Sequence, residues 1–224
     1  MPMGDGMMVK ICGITNREDA LAAIDGGAAA LGFNFCPASP RYIAPDEAAA
    51  IAVGLPAGVW KVGVFVDESP EAVLRTAAQV GLDIAQLHGN EAPERYPRGM
   101  RVWKAIRVVG QAFSLPTAGS AEAVLLDGAA SGQVFEWSVV GQAILPADAL
   151  SSASKPAEKP AAAKIGRPTR VILAGGLDAG NVREAIEQVH PWGVDACSRI
   201  ESSPGRKDRF KMAAFLKAAL AAAR

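Results

Sequence analysis

Short runs of β-branched and apolar residues alternate along the chain with Ala-rich stretches whose apolar positions recur at helical spacing. Strands are predicted over residues 9–12, 30–35, 59–66, 84–87, 101–109, 123–127, 170–174 and 194–197. Helices are predicted between them. Asn16 stands as an N-cap before acids in a first turn over 16–24, Pro45 opens 46–53, and Ser69-Pro70 caps and opens a helix to Val80. A short helix is expected at 91–96, a weak one at 111–115, another from Ser138, one over about 179–189, and a closing helix over 207–222. Strand alternating with helix implies parallel pairing with crossover helices, and the eight units counted here match a (β/α)₈ barrel near its lower size limit. A doubly wound open sheet is the rival, but no GxGxxG opens a helix after the first strand.

One stretch breaks the alternation. Residues 150–168 (LSSASKPAEKPAAAKIGRP) are rich in Ala, Ser, Lys and Pro, with Ile165 the sole large apolar residue after Leu150. That composition predicts a flexible loop inserted before the seventh strand of a single domain spanning 1–224.

Composition narrows the function classes. The 224 residues are half hydrophobic, which is globular composition. Twenty-three basic residues balance 23 acidic ones, so neither a nucleic-acid surface nor a polybasic membrane anchor is expected. No apolar run approaches the ~20 residues of a membrane span, and the start MPMGDGMMVKICGI does not read as a signal peptide. Cys12, Cys36 and Cys197 are too few for a disulfide framework, so a reducing cytoplasmic setting is expected.

In a barrel of this class, chemistry sits where the strands end. Those ends hold Cys12, the loop Cys36-Pro37-Ala38-Ser39-Pro40-Arg41, Asp67, His88, Asp127, Gly175-Gly176 and Cys197-Ser198-Arg199. Gly175-Gly176 lets backbone N–H groups approach a ligand closely, and the loops after strands seven and eight are the usual phosphate site of the fold. Asp67 reads as a helix cap before Ser69. Lys10 shares the inward face with Cys12, and Asp195 the inward face of the neighbouring eighth strand, so Lys10 and Asp195 are expected to pair inside the barrel. Three cysteines at adjacent strand ends raise the idea of a thiolate metal site, but no CxxC spacing supports it.

These segments resemble the phosphoribosylanthranilate isomerase family. The stretches are VKICGIT (9–15), LGFNFCPASPRYI (31–43), VGVFVD (62–67), LDIAQLHGNE (82–91), VWKAIRV (102–108), LLDG (125–128), FEW (135–137), ILAGGL (172–177) and VDACSRIESSPGRKD (194–208). The resemblance implies a cofactor-independent isomerase of tryptophan biosynthesis that acts on a phosphorylated small molecule. The reaction is an Amadori rearrangement of N-(5-phosphoribosyl)anthranilate, which needs an acid at the ribose ring oxygen and a base at C2′. It assigns the base to Cys12, the acid to Asp127 and the grip on the anthranilate carboxylate to Arg41. The apolar run before Asp127 is a setting that favours a protonated acid. Gly175, Gly176, Ser198 and Arg199 become the phosphate site, with Asp195 and His88 as further substrate contacts. Gln86 lies on the inward face with His88. A monomer or homodimer is expected. Two departures stand out: Arg199 replaces the glycine of the family's SSGVE-like turn, and Glu136 replaces an aspartate in the sixth loop. The rival readings are a histidine-pathway phosphoribosyl isomerase, which pairs two aspartates, and a non-catalytic phosphate-binding barrel.

Overall fold

The structure is a computed structural model that describes residues 6–108, 119–128 and 170–222. The expected helices at 111–115 and from Ser138, the sixth-loop residue Glu136 and the insertion over 150–168 lie outside those residues.

Eight parallel strands close into a barrel in sequence order: β1 (Met8–Cys12), β2 (Ala30–Asn34), β3 (Trp60–Phe65), β4 (Ile84–Leu87), β5 (Arg101–Val108), β6 (Ala123–Gly128), β7 (Arg170–Ala174) and β8 (Gly193–Ala196). The ring closes between β1 and β8, where Lys10 stands opposite Asp195 and Ile11 opposite Ala196. The open-sheet rival is therefore excluded. Strands covered on both faces read as near-continuous apolar runs, which is why they were visible in the sequence.

Around the barrel run α1 (Arg17–Asp25), α2 (Pro45–Ala52), α3 (Pro70–Val80), α4 (Val182–Val189) and α5 (Arg209–Ala222). Asn16 and Ser69 cap α1 and α3 as expected, accepting from the backbone N–H of Asp19 and Ala72. One layer of core lies between strands and helices. A second fills the barrel, where Met8, Val62, Ile84, Trp103, Leu125 and Ile172 point inward. These residues fix the parity of each strand, so Lys10, Cys12, Gln86, His88, Asp127 and Asp195 take inward positions.

Three local expectations are corrected. The helix foreseen over 91–96 is a single 3₁₀ turn, Pro93–Arg95, confined by Pro93 and Pro97. Asp67 is not a helix cap: it takes φ 54° and accepts the Asn90 N–H at 2.6 Å, leaving α3 to Ser69. The closing helix starts at Arg209, because β9 (Glu201–Ser203) and β10 (Arg206–Lys207) form a hairpin first. Gly205 at φ 80° makes its turn, and Pro204-Gly205 is a dipeptide that marks turns in sequence.

Candidate active site

Cys12 ends β1 on the inward face, buried to 8% exposure. Space for its sulfur depends on Gly32 of β2, its register partner: a Cβ there would meet Cys12 Sγ at 2.8 Å. Behind it, Lys10 Nζ donates to Asp195 Oδ1 at 2.9 Å, fully inside the barrel, so the expected pair forms. Burial disfavours the Lys10 charge, but Asp195 and Cys12 outweigh it and the ammonium is held charged. Burial also pushes the Asp195 carboxyl up to about 7 against the pull of Lys10.

The Cys197 thiol lies beside Cys12, just beyond the end of β8, because the preceding residues, Ile11 and Ala196, are register partners. Cys12 is driven well below the usual thiol range, first by the neighbouring Cys197 thiol and then by Lys10, against the opposing effect of burial. Cys197 is driven up by the neighbouring Cys12 and by burial. Of the two thiols Cys12 is the more readily ionised, because it shares the inward face of β1 with the Lys10 ammonium.

Asp127 ends the inward face of β6, three strands round the barrel from β1. His88 Nε2, just past β4, stands 3.2 Å from Asp127 Oδ2. Strands β4 and β6 are not neighbours, and their inward side chains meet because alternate strands fill one layer of such a barrel. Gly175 packs against this carboxylate: a Cβ there would lie 2.6 Å from Asp127 Oδ1, and its φ of 86° also favours glycine.

Gly175 and Gly176 form the turn after β7, with the Gly176 carbonyl fixed by Asn181 Nδ2 at 2.8 Å. Ser198 opens a 3₁₀ turn, Ser198–Ile200, after β8. Arg199 reaches this corner, with its Cδ 3.7 Å from a Cβ built on Gly176. Its Nε is committed to Asp178 Oδ2 at 2.6 Å, rather than to Glu201.

Arg41 makes a fork with Glu201, through Nε to Oε1 at 2.9 Å and Nη2 to Oε2 at 2.7 Å. Lys207 Nζ of β10 donates to the same carboxylate at 2.9 Å and to the Cys197 carbonyl at 3.3 Å. Burial opposes the Glu201 charge, yet Arg41 and Lys207 hold its carboxyl below the usual range. The hairpin is thus a strap that ties the Arg41 loop to the end of β8. Glu201 and Lys207 were not singled out in the sequence, although SPGRKD carries the turn that places Lys207.

Gln86 is buried in the barrel, and its Oε1 has no hydrogen-bond partner among the described residues. The three thiols do not build a metal centre: among the described residues no group of three or more His, Cys, Asp or Glu side chains is arranged to hold an ion. No helix among them is long and apolar enough to cross a membrane.

The arrangement places a buried, readily ionised thiol and a carboxylate on the inner wall of the barrel mouth, beside a glycine turn suited to an anion. Comparison with known proteins shows which family the chain falls in. Residues 9–218 match the family model described as N-(5'phosphoribosyl)anthranilate (PRA) isomerase. The chain is 47% identical over 223 residues to the N-(5'-phosphoribosyl)anthranilate isomerase of Solibacter usitatus, covering 96% of this chain and 98% of that one. A crystal structure of phosphoribosyl anthranilate isomerase in complex with reduced 1-(o-carboxyphenylamino)-1-deoxyribulose 5-phosphate superposes with a TM-score of 0.75 at 36% identity, covering 95% and 98% of the two chains. Monomers generated from the dimeric Thermotoga maritima enzyme superpose with a TM-score of 0.74, also at 36% identity and covering 95% and 98%.

Proposed function

The chain belongs to the N-(5'-phosphoribosyl)anthranilate isomerase family, and from that premise we propose that Cys12 is the general base and Asp127 the general acid of its reaction. The protein is an isomerase of tryptophan biosynthesis, converting N-(5-phosphoribosyl)anthranilate to 1-(2-carboxyphenylamino)-1-deoxyribulose 5-phosphate. Asp127 gives its proton to the ribose ring oxygen, the C1′–O bond breaks, and the aniline nitrogen lone pair forms the Schiff base. The Cys12 thiolate then takes the C2′ proton, and the enolamine collapses to the aminoketose. Every electron pair moves within the substrate, so the isomerisation calls for no external oxidant. The observation that carries this reading is the inward placement of Cys12 and Asp127 together at the C-terminal ends of β1 and β6.

His88, 3.2 Å from Asp127, holds the acid's orientation and lines the substrate cavity. Asp195 lies one inward position below the thiolate level and supports it through Lys10, with substrate contact a secondary role. The backbone N–H groups of Gly175, Gly176 and Ser198 receive the phosphate, as tight glycine turns and loop amides do. Arg199 adds a cation to that corner. Loss of Arg199 in an Arg199→Gly variant is expected to weaken inhibition by inorganic phosphate, and an unchanged inhibition constant would remove Arg199 from the site.

Arg41, braced by Glu201, takes the anthranilate carboxylate with the edge of the guanidinium that Glu201 leaves over. Arg41→Ala is expected to raise KM by about 10- to 100-fold, the scale of one charged hydrogen-bonded contact. A substrate analogue without that carboxylate should be handled alike by wild type and variant; unequal losses would give Arg41 another role.

A cytoplasmic setting and a monomer or homodimer complete the reading, with a phosphorylated small molecule rather than nucleic acid or membrane as partner. The histidine-pathway alternative pairs two aspartates, whereas the first strand here ends in Cys12. Assays of phosphoribosylanthranilate and of the histidine-pathway aminoaldose side by side separate them. Turnover of the first alone is expected, and turnover of the second alone would overturn the proposal.

A further inference from the structure

We infer that Cys197 is a positioning residue for the base, its thiol placed by barrel closure to donate a hydrogen bond to the Cys12 sulfur and aim it into the barrel. This inference rests on the reading of Cys12 as the base.

The geometry comes from barrel closure. Ile11 and Ala196 are register partners on β1 and β8, so the next residues, Cys12 and Cys197, leave their strands side by side. Gly13, at φ 72°, makes room for the contact: a Cβ there would stand 3.0 Å from Cys197 Sγ. The backbone of Cys197 is pinned from outside by Lys207 Nζ on its carbonyl at 3.3 Å. The thiol is therefore held on Cys12 by three elements: β8, the turn after β1, and the β9–β10 strap.

A buried thiolate needs such a donor because the nearby cations are already engaged. Lys10 faces Cys12 from β1 but is paired with Asp195 of β8 at 2.9 Å. Lys207 of β10 and Arg41 of the loop after β2 are both on Glu201, at 2.9 and 2.7 Å. Asp127 of β6 adds negative charge to the same interior. A thiol can lend its proton to a neighbouring sulfur without adding a charge to the cavity, which preserves the balance that Lys10 and Asp195 set. The position is also one at which a hydroxyl would serve, since it too is a single rotatable donor.

The test follows the Cys12 thiolate without relying on turnover. Cys12 alkylation by iodoacetamide is measured against pH, read on the Cys12 peptide by mass spectrometry, in wild type, Cys197→Ala and Cys197→Ser. Wild type should react with a midpoint well below that of a free thiol. Cys197→Ala should move the midpoint upward by about one pH unit, a tenfold loss of thiolate at lower pH. Cys197→Ser should recover most of the shift. The acidic limb of kcat/KM should move by the same amount in each variant while the rate above it is retained. A Cys197→Ala profile that superposes on wild type overturns the inference. So does a Cys197→Ser profile as displaced as the alanine one, since packing rather than donation would then be responsible. Failure of the base assignment itself is a separate result: Cys12→Ala would keep its turnover whatever the alkylation profiles show.

Discussion

Replacing Cys12 by alanine is expected to lower kcat for phosphoribosylanthranilate by at least about 10²-fold, and the loss should persist at every pH. The side chain is small and ends a strand, and alanine keeps the backbone and most of the packing, so the melting temperature should barely move. The effect is large because Lys10, on the same face of β1, is held as an ammonium by Asp195 and Cys12 and cannot take the proton in place of Cys12. A serine at the same position should be nearly as poor, since a hydroxyl is a much weaker acid than a thiol and stays protonated. Steady-state kinetics with a thermal melt on the same preparation check both halves. A Cys12→Ala enzyme within a few-fold of wild type would remove Cys12 from the mechanism.

Lys10→Met should produce the largest loss of stability. It leaves Asp195 inside the barrel with no counter-charge, and removing one partner of a buried ion pair costs about 3–5 kcal/mol. For a domain of this size that is roughly 10 °C in Tm. The sign of its pH dependence follows from Asp195, whose folded pKa of about 7 already lies above its value in the unfolded chain. A carboxyl raised on folding stabilises the protein when protonated, and that contribution is lost as pH rises through the folded value. Without Lys10 the folded value rises further, so the variant should lose least stability near pH 4 and most above pH 7. Lys10→Met combined with Asp195→Leu should recover much of the loss, because a well-packed apolar pair often replaces a buried ion pair at little cost. Urea melts at two pH values test this. Equal destabilisation at both would mean that lost packing, not the stranded carboxylate, is responsible.

Some of this site could be read along the chain and some could not. The strands were legible because each is buried on both faces, and the Lys10–Asp195 pair because inward parity on neighbouring strands places it. The His88–Asp127 contact was not legible as a pair: it joins non-adjacent strands and depends on how the closed barrel staggers its layers. Glu201 was missed as the partner of Arg41, 160 positions away, because nothing local marks a carboxylate as a brace. The hairpin over Glu201–Ser203 and Arg206–Lys207 was hidden by the Ala-rich helix that follows, although its Pro204-Gly205 turn was in plain view. Asp67 was misread because Asp before Ser-Pro is a common capping arrangement, while its carboxylate is drawn instead to the Asn90 N–H across the β4 loop. The roles of Cys12, Asp127 and Arg41 came from resemblance. Composition and spacing alone leave a strand-end cysteine as a small buried hydrophobe.

The central claim is that Asp127 delivers a proton and Cys12 removes one within a single turnover. The most direct measurement is kcat for phosphoribosylanthranilate generated in situ, taken for wild type, Asp127→Asn and Cys12→Ala in one assay. Asparagine keeps the size of Asp127 and a hydrogen bond within reach of His88 but has no acidic proton to give. The account predicts that both variants stay folded and that each loses at least about 10²-fold in kcat. Near wild-type kcat in either variant would contradict it.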